Sequence, residues 1–349
     1  MIETDITKML GIQHPILSAP MGPFYTTKLT VAVSEAGGLG VLSHTNLLGK
    51  NSFEEMKKNM EYVVEHTDKP FGFNIRTARL QPDAIKLCRK IPQFIMENPK
   101  IREQCVYVLT SAGSPRLIFN RYFEKLRENS QIKHFHVVPN IRFAQKCVDM
   151  GVDGLVVTGI EGGGHQSYEK VSTLVLLQEV RKRLNGIPII ACGGFATSDG
   201  LSSALSMGAG AIAMGSRFIA SEECEFHENI KNIALNSKSS DTELITGLFG
   251  PIRVLKNNYT KHHTLISSKE EKLKEEKASS VVEEMKFYEK TYNGDIEEGA
   301  VLLGQTIGII DKIESVSEII NSIISGAEKT LLSPSYTIEQ TPIELELMI

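Results

Sequence analysis

Eight short apolar runs recur along the first 215 residues, and helical patterns fill the spaces between most of them. The runs lie at 15–21, 39–43, 71–75, 106–111, 135–139, 154–159, 187–193 and 211–215. They are apolar along most of their length and do not alternate strictly, the pattern of strands buried on both faces. Helical spacing appears at 27–36, 53–66, 115–128, 141–150, 173–184 and 198–207. Pro115 stands at a first-turn position, Ser198 and Asp199 are candidate caps, and Gly208 is a candidate helix stop. Strands that alternate with helices imply a parallel sheet. Eight is the number at which such a sheet closes into a (β/α)8 TIM barrel, so the class is α/β. A doubly wound open sheet shares the same rhythm.

The rhythm stops near residue 218. The chain has 349 residues, and a barrel uses about 250, which leaves room for an appendage. The expected organisation is a barrel over 1–220 and a smaller, mainly helical insert over 221–300. The segment 301–332 then returns to the barrel with a helix over 316–332, and 333–349 is an extended surface tail. No clear strand is legible in 222–300. Its stretch 261–290 holds seven Lys and seven Glu, which reads as a solvated helix laced with i,i+4 pairs, with a partner-docking surface as the alternative. Leu265, Leu273, Val281, Val282, Met285 and Phe287 suggest one packed face, suited equally to a lid or to a homodimer contact.

Composition narrows the function classes. The net charge is −4, without the basic excess by which nucleic-acid binders release counterions. No run of about 18 apolar residues exists, so no membrane span is expected. The start, MIETDITKML, lacks the apolar core of a secretory signal. The five cysteines are an odd number, far apart and without a CxxC pair, which argues against a disulfide framework and against a metal site. A reducing cytoplasmic setting follows.

In a βα barrel the chemistry sits where strands end. The 154–159 strand runs into Gly162-Gly163-Gly164-His165, and glycines let backbone approach a flat ligand closely. His165 follows them directly, and histidine is the side chain best suited to proton transfer near neutral pH. The last two strands end in Gly193-Gly194 and Gly215-Ser216, one β/α unit apart. Glycine turns there, with a helix N-terminus, form the usual phosphate site of this fold. The first strand ends in Ala19-Pro20-Met21-Gly22, a candidate platform for a flat ring, and Asn74 ends the third. Neither GxGxxG nor GxxxxGK[ST] occurs, which disfavours a Rossmann or P-loop site.

These segments carry a resemblance. HPILSAPMG, EAGGLGVLS, PFGFN, TGIEGGGHQ, IPIIACGGFATSDGLSSALSMGAGAIAMGSRF, GPIRVLKN and GDIEEGAVLLGQTIGII together resemble the nitronate monooxygenase (2-nitropropane dioxygenase-like) family, in order over roughly residues 8–310. The same superfamily includes flavin-dependent enoyl-[acyl-carrier-protein] reductase II. The resemblance implies a TIM barrel that binds FMN non-covalently and oxidises alkyl nitronates with O2, under a smaller helical domain. It places Ala19, Pro20, Met21 and Gly22 beside the flavin ring with Asn74 near it. Gly193, Gly194, Gly215 and Ser216 would hold the phosphate, and His165 would be the catalytic histidine on a loop that Gly163 and Gly164 let close in. Gly162, Ser216 and Phe195 stand where the family usually has Ala, Thr and Ile. Phe24 and Tyr25 stand where small residues are common, which bears on the substrate more than on the cofactor. The alternatives are an NAD(P)H-dependent enoyl or quinone reductase and a non-catalytic flavin-binding protein. A barrel dehydrogenase similar to inosine-monophosphate dehydrogenase would need a nucleophilic cysteine, and Cys192 lies inside a strand.

Overall fold

The computed structural model describes residues 2–46, 51–247, 250–263, 265, 268, 271 and 279–332. All eight expected strands form: β1 Ile16–Ser18, β2 Gly40–Leu42, β3 Phe71–Arg76, β4 Cys105–Ser111, β5 Lys133–Val138, β6 Gly154–Thr158, β8 Ile189–Cys192 and β9 Ala211–Met214. The two-residue strand β7, Gly164–His165, belongs to a second sheet. The eight pair in parallel in the order β1-β9-β8-β6-β5-β4-β3-β2. A parallel bridge between Leu17 and Leu39 joins β1 to β2 and closes the ring. The open-sheet alternative is thereby set aside.

The barrel interior is packed rather than hollow. Leu17, Val41, Tyr107, Leu109, Phe135, Val156 and Ile190 form one cluster, joined by Ile6 and Leu10 of the helix Asp5–Leu10. The Tyr107 and Phe135 rings lie 5.2 Å apart. Gly72 and Gly154 make room for them: a Cβ on Gly154 would stand 2.1 Å from Phe135 Cε1, and one on Gly72 would stand 2.7 Å from Tyr107 Cδ1. Helices cover the outer faces of the strands, and no described helix is long and apolar enough to cross a membrane.

Local chemistry moves several boundaries. The 115–128 helix splits into a 3-10 turn, Pro115–Leu117, and a helix, Arg121–Glu128. The Asn120 side chain accepts from the Tyr122 and Phe123 N–H groups and restarts the helix there. Thr197, rather than Ser198 or Asp199, caps the helix Ser198–Ser206, and Gly208 follows its end with φ +87°. Helices Ala84–Glu97 and Pro99–Gln104 were not legible; Pro92 and Pro99 interrupt the pattern.

The segment after β9 holds helices and also an unexpected antiparallel hairpin, β10 Thr242–Gly247 and β11 Gly250–Leu255. Pro251, with no N–H, and Arg253, a charge in mid-run, hide the second strand in the sequence. In the helix Ser279–Tyr292, Met285 and Phe287 pack against the core and the buried Glu284 accepts from Tyr288 at 3.1 Å. Twelve positions of the charged 261–290 stretch, Leu273 among them, and the Val281 and Val282 side chains lie outside the described residues, as does the 333–349 tail. The helix Val316–Leu332 returns to pack against Ser198–Ser206 and Thr27–Glu35.

Two buried histidines on β5 share one hydroxyl: Thr110 Oγ1 lies 2.7 Å from His134 Nε2 and 2.6 Å from His136 Nδ1. Burial pushes His136 down to about 3, and burial together with neighbouring His136 pushes His134 well below 6.5. Both stay neutral when folded but take up a proton near pH 6.5 when unfolded. Their contribution is therefore fully present above pH 6.5 and is lost as pH falls toward the folded values. Each should contribute about 1.4 kcal/mol of lost stability per pH unit below about pH 6. Thermal melts between pH 7 and pH 5 should show a shallower fall for His136→Gln than for the unsubstituted chain, and equal slopes would contradict this account.

Candidate active site

One cavity opens at the C-terminal ends of the barrel strands, and all twelve residues singled out from the sequence line it. Ala19, Pro20, Met21 and Gly22 follow β1. The Met21 N–H donates to Ser43 Oγ at 2.8 Å, which fixes this strip to the strand beside it. Asn74 lies in β3 and its Nδ2 donates to Leu109 O at 2.8 Å and to Ser111 Oγ at 3.1 Å, which orients the amide at the cavity wall. Val137, Val156 and Ala213 supply apolar lining from other strands.

The glycine loop after β6 reaches His165 in close contact with other backbone. A Cβ on Gly163 would stand 2.7 Å from Gly304 N, and one on Gly193 would stand 2.9 Å from Gly162 N. Gly164, Gly193 and Gly194 have φ of +75°, +84° and +94°, a region that only glycine adopts without strain. Neighbouring loops are tied together here: Thr173 donates through Oγ1 to Gly193 O at 2.8 Å and through its N–H to the Glu161 carboxylate at 2.9 Å. The glycines thus serve approach and not merely short turns.

His165 owes its place to the hairpin. Strand β7 pairs with β11, Ile252 opposite His165 and Arg253 opposite Gly164. The Gln166 N–H donates to Pro251 O at 2.7 Å, and Arg253 Nε donates to Ile160 O at 2.7 Å. The loop that carries the histidine is therefore one strand of a small three-stranded sheet across the barrel mouth.

On the far side, Gly215 precedes the short helix Ser216–Ile219, and Gly215 and Ser216 both line the cavity. A Cβ on Gly215 would meet nothing closer than Ala19 Cβ and Met21 Sδ, both at 3.9 Å, so this wall is open. Ser216 Oγ accepts from the Gly304 N–H at 2.9 Å, which leaves its proton available to a ligand oxygen. Gly193, Gly194, Gly215 and Ser216 form a cradle suited to a phosphate, and Met21 with Asn74 flanks a slot suited to a flat ring. The residues present fit a phosphorylated planar cofactor.

Several lining residues were not foreseen: Arg76, Phe226, Leu302, Gly304 and Thr306. The 302–306 strip comes from a segment far along the chain, and nothing local marks it as lining. His44 is wholly buried; its Nδ1 accepts the Arg76 backbone N–H at 3.0 Å and its Nε2 meets Asp83 Oδ2 at 3.1 Å. It braces the β3 end. Burial pushes the Cys192 thiol up to about 11, so it stays protonated and is no nucleophile of the kind a dehydrogenase similar to inosine-monophosphate dehydrogenase requires.

The family model for nitronate monooxygenase matches residues 3–326. The chain belongs to that family. Among solved structures the chain is similar to FabK from Thermotoga maritima, with 30% identity, a TM-score of 0.77 and coverage of 95% of this chain and 98% of that one. Among curated relatives, it is 28% identical to a Mycobacterium tuberculosis (3aS,4S,5R,7aS)-5-hydroxy-7a-methyl-1-oxo-octahydro-1H-indene-4-carboxyl-CoA dehydrogenase over 97% of this chain and 99% of the relative. A probable nitronate monooxygenase of Staphylococcus saprophyticus is 25% identical over 74% of this chain and 80% of its own length.

Gly193→Val would put a β-branched side chain at φ +84° against the Gly162 backbone. Strain of about 1–3 kcal/mol weakens flavin binding about tenfold or more. The purified variant should carry correspondingly less flavin absorbance per chain while its far-ultraviolet circular dichroism is retained. Full flavin loading would refute the cradle.

Proposed function

We propose that this chain is an FMN-dependent oxidoreductase that oxidises alkyl nitronates with O2 to carbonyl compounds and nitrite. The observation that carries the reading is the strapping of His165 onto β11, above a cavity that also holds the phosphate cradle and the ring slot. When bound, FMN supplies the electron-accepting chemistry.

The chain's own residues have separable tasks in this reading. Gly193, Gly194, Gly215 and Ser216 bind the phosphate through backbone N–H groups and one hydroxyl. Ala19, Pro20, Met21 and Gly22 bound the ring on one side, and Asn74 hydrogen-bonds its edge. Gly163 and Gly164 bring the His165 loop down to the substrate. A protonated His165 holds and stabilises an anionic nitronate, and a neutral one accepts the α-proton of a nitroalkane. The segment 221–300 acts as the cover that keeps water from the reacting carbon.

A second reading, a dehydrogenase or reductase of acyl thioesters, has one observation in its favour. The chain matches the M. tuberculosis CoA-ester dehydrogenase and T. maritima FabK nearly end to end, and the S. saprophyticus relative less completely. Anaerobic mixing decides between them. Bleaching of the flavin by ethyl nitronate but not by NADH supports the first reading, and the reverse supports the second.

His165→Asn should lower turnover of neutral nitroethane by about 10²-fold or more, because a general base contributes about that much. FMN should remain bound. Nitroethane turnover at the unsubstituted rate by an FMN-loaded variant would remove His165 from the chemistry.

A further inference from the structure

Three arginines of this chain are almost fully buried, and two of them are satisfied by the protein. Arg217, 6% exposed, pairs with Glu314 and donates to Ala220 O and Lys312 O. Arg253, 5% exposed, donates to Ile160 O and to Thr242 Oγ1. The third is Arg76, 6% exposed, at the end of β3. Its side chain donates only to Asn46 Oδ1, and its buried Nε has no hydrogen-bond partner among the described residues. No ion pair holds it among those residues either. Asp83 and Tyr288 lie near enough to act on its charge, but neither bonds to it; Asp83 is taken up by His44, Ser52 and Gln81. The residues that follow Asn46 in sequence are Leu, Leu, Gly and Lys, and bring no acid.

A buried cation without a counter-charge is costly, and a guanidinium stays charged at any pH where the protein is folded. Burial brings Arg76 down only to about 10, so it is a cation at neutral pH. It lines the same cavity as His165, two residues beyond Asn74 and on the same side of β3. The residue that carries this uncompensated charge is therefore part of the cavity wall.

We propose that Arg76 is a specificity-determining residue of this cavity, whose guanidinium takes the delocalised oxygen pair of an anionic substrate. A planar fork of N–H donors matches a two-oxygen anion such as the nitronate head group, and such charge-assisted bonds are the strong ones. The cofactor phosphate is not its partner. In the strand order β3 stands four places from β8, diametrically across the ring from Gly193 and Gly194. The aromatic side chains Phe24 and Phe226 line the cavity too, their centroids 4.8 Å apart, and supply apolar surface for the remainder of the substrate. The inference rests on the functional reading above, which makes this cavity the substrate site.

The test compares the FMN-loaded chain with R76M and R76K. Nitrite, a small planar anion with two equivalent oxygens, serves as the binding probe, read from the flavin absorption band. R76M should raise the nitrite Kd by about 10²-fold and lower kcat/KM for ethyl nitronate by a similar factor. The KM for nitroethane, which binds neutral and becomes an anion only after His165 takes its α-proton, should change by less than about threefold, and R76K should recover part of the loss. FMN content should hold, and the melting temperature should hold or rise, because methionine removes an uncompensated charge. A merely structural Arg76 would lower the melting temperature and leave the anion preference intact. Nitrite binding by R76M as tight as in the unsubstituted chain, or none by the unsubstituted chain, overturns the proposal. A changed flavin reduction potential with unchanged nitrite binding would assign the guanidinium to the flavin ring instead. If no nitronate is turned over at all, the functional reading fails, and nitrite binding still decides the role of Arg76.

Discussion

The closing seam between β1 and β2 is what gives every strand end a common destination. It is thin. The Ser18 N–H donates to Leu39 O at 3.1 Å, the Leu39 N–H donates to Ile16 O at 2.9 Å, and Ser18 Oγ accepts the Val41 N–H at 2.8 Å. Gly40 makes the seam possible from outside, because any Cβ there would strike the Thr30 carbonyl of the covering helix. With the ring shut, groups that lie more than 100 residues apart in sequence face one another over a single floor of side chains. An open sheet with the same strands would spread the Met21 strip and the Gly193 turn along one edge.

Much of this was legible in the sequence, for identifiable reasons. The eight strands were visible because they are largely buried on both faces and so read as runs that are apolar along most of their length. The glycine turn after β8 was visible because a positive φ favours glycine at both 193 and 194, and close backbone contact adds to this at 193. The hairpin was not visible. Its partner strand is two residues long and lies some 85 positions earlier, and its own second strand contains a proline and a charge. Arg76 was not visible as special because a basic residue at a strand end reads equally well as solvated rim; only its burial separates the two. Not every glycine of the barrel belongs to the cavity. Gly72 and Gly154 line no ligand slot and instead make room for the Tyr107 and Phe135 rings inside the barrel.

The two sheets divide the labour. The barrel carries the residues that suit a cofactor, the ring slot and the phosphate cradle, and these are set by backbone shape. The small sheet β10-β11-β7 carries the residue suited to proton transfer, and its anchor is a backbone hydrogen bond rather than a side-chain contact. Substitutions in the cavity wall can therefore alter what is bound without shifting the histidine. This separation is one physical route by which a common scaffold accommodates relatives named for different substrates.

The helix Val316–Leu332 fills the place between the helix that follows β8 and the helix that follows β1, with Gly326 set close against Ser198. It is the eighth helix of the ring, delayed by about a hundred residues. The chain must leave the barrel after β9, pass over the mouth, and lay the 302–306 strip along the cavity before it can complete the outer wall. The segment between β9 and this helix is thus fastened to the barrel at both ends. To free it would mean unfastening the outer wall of the barrel itself.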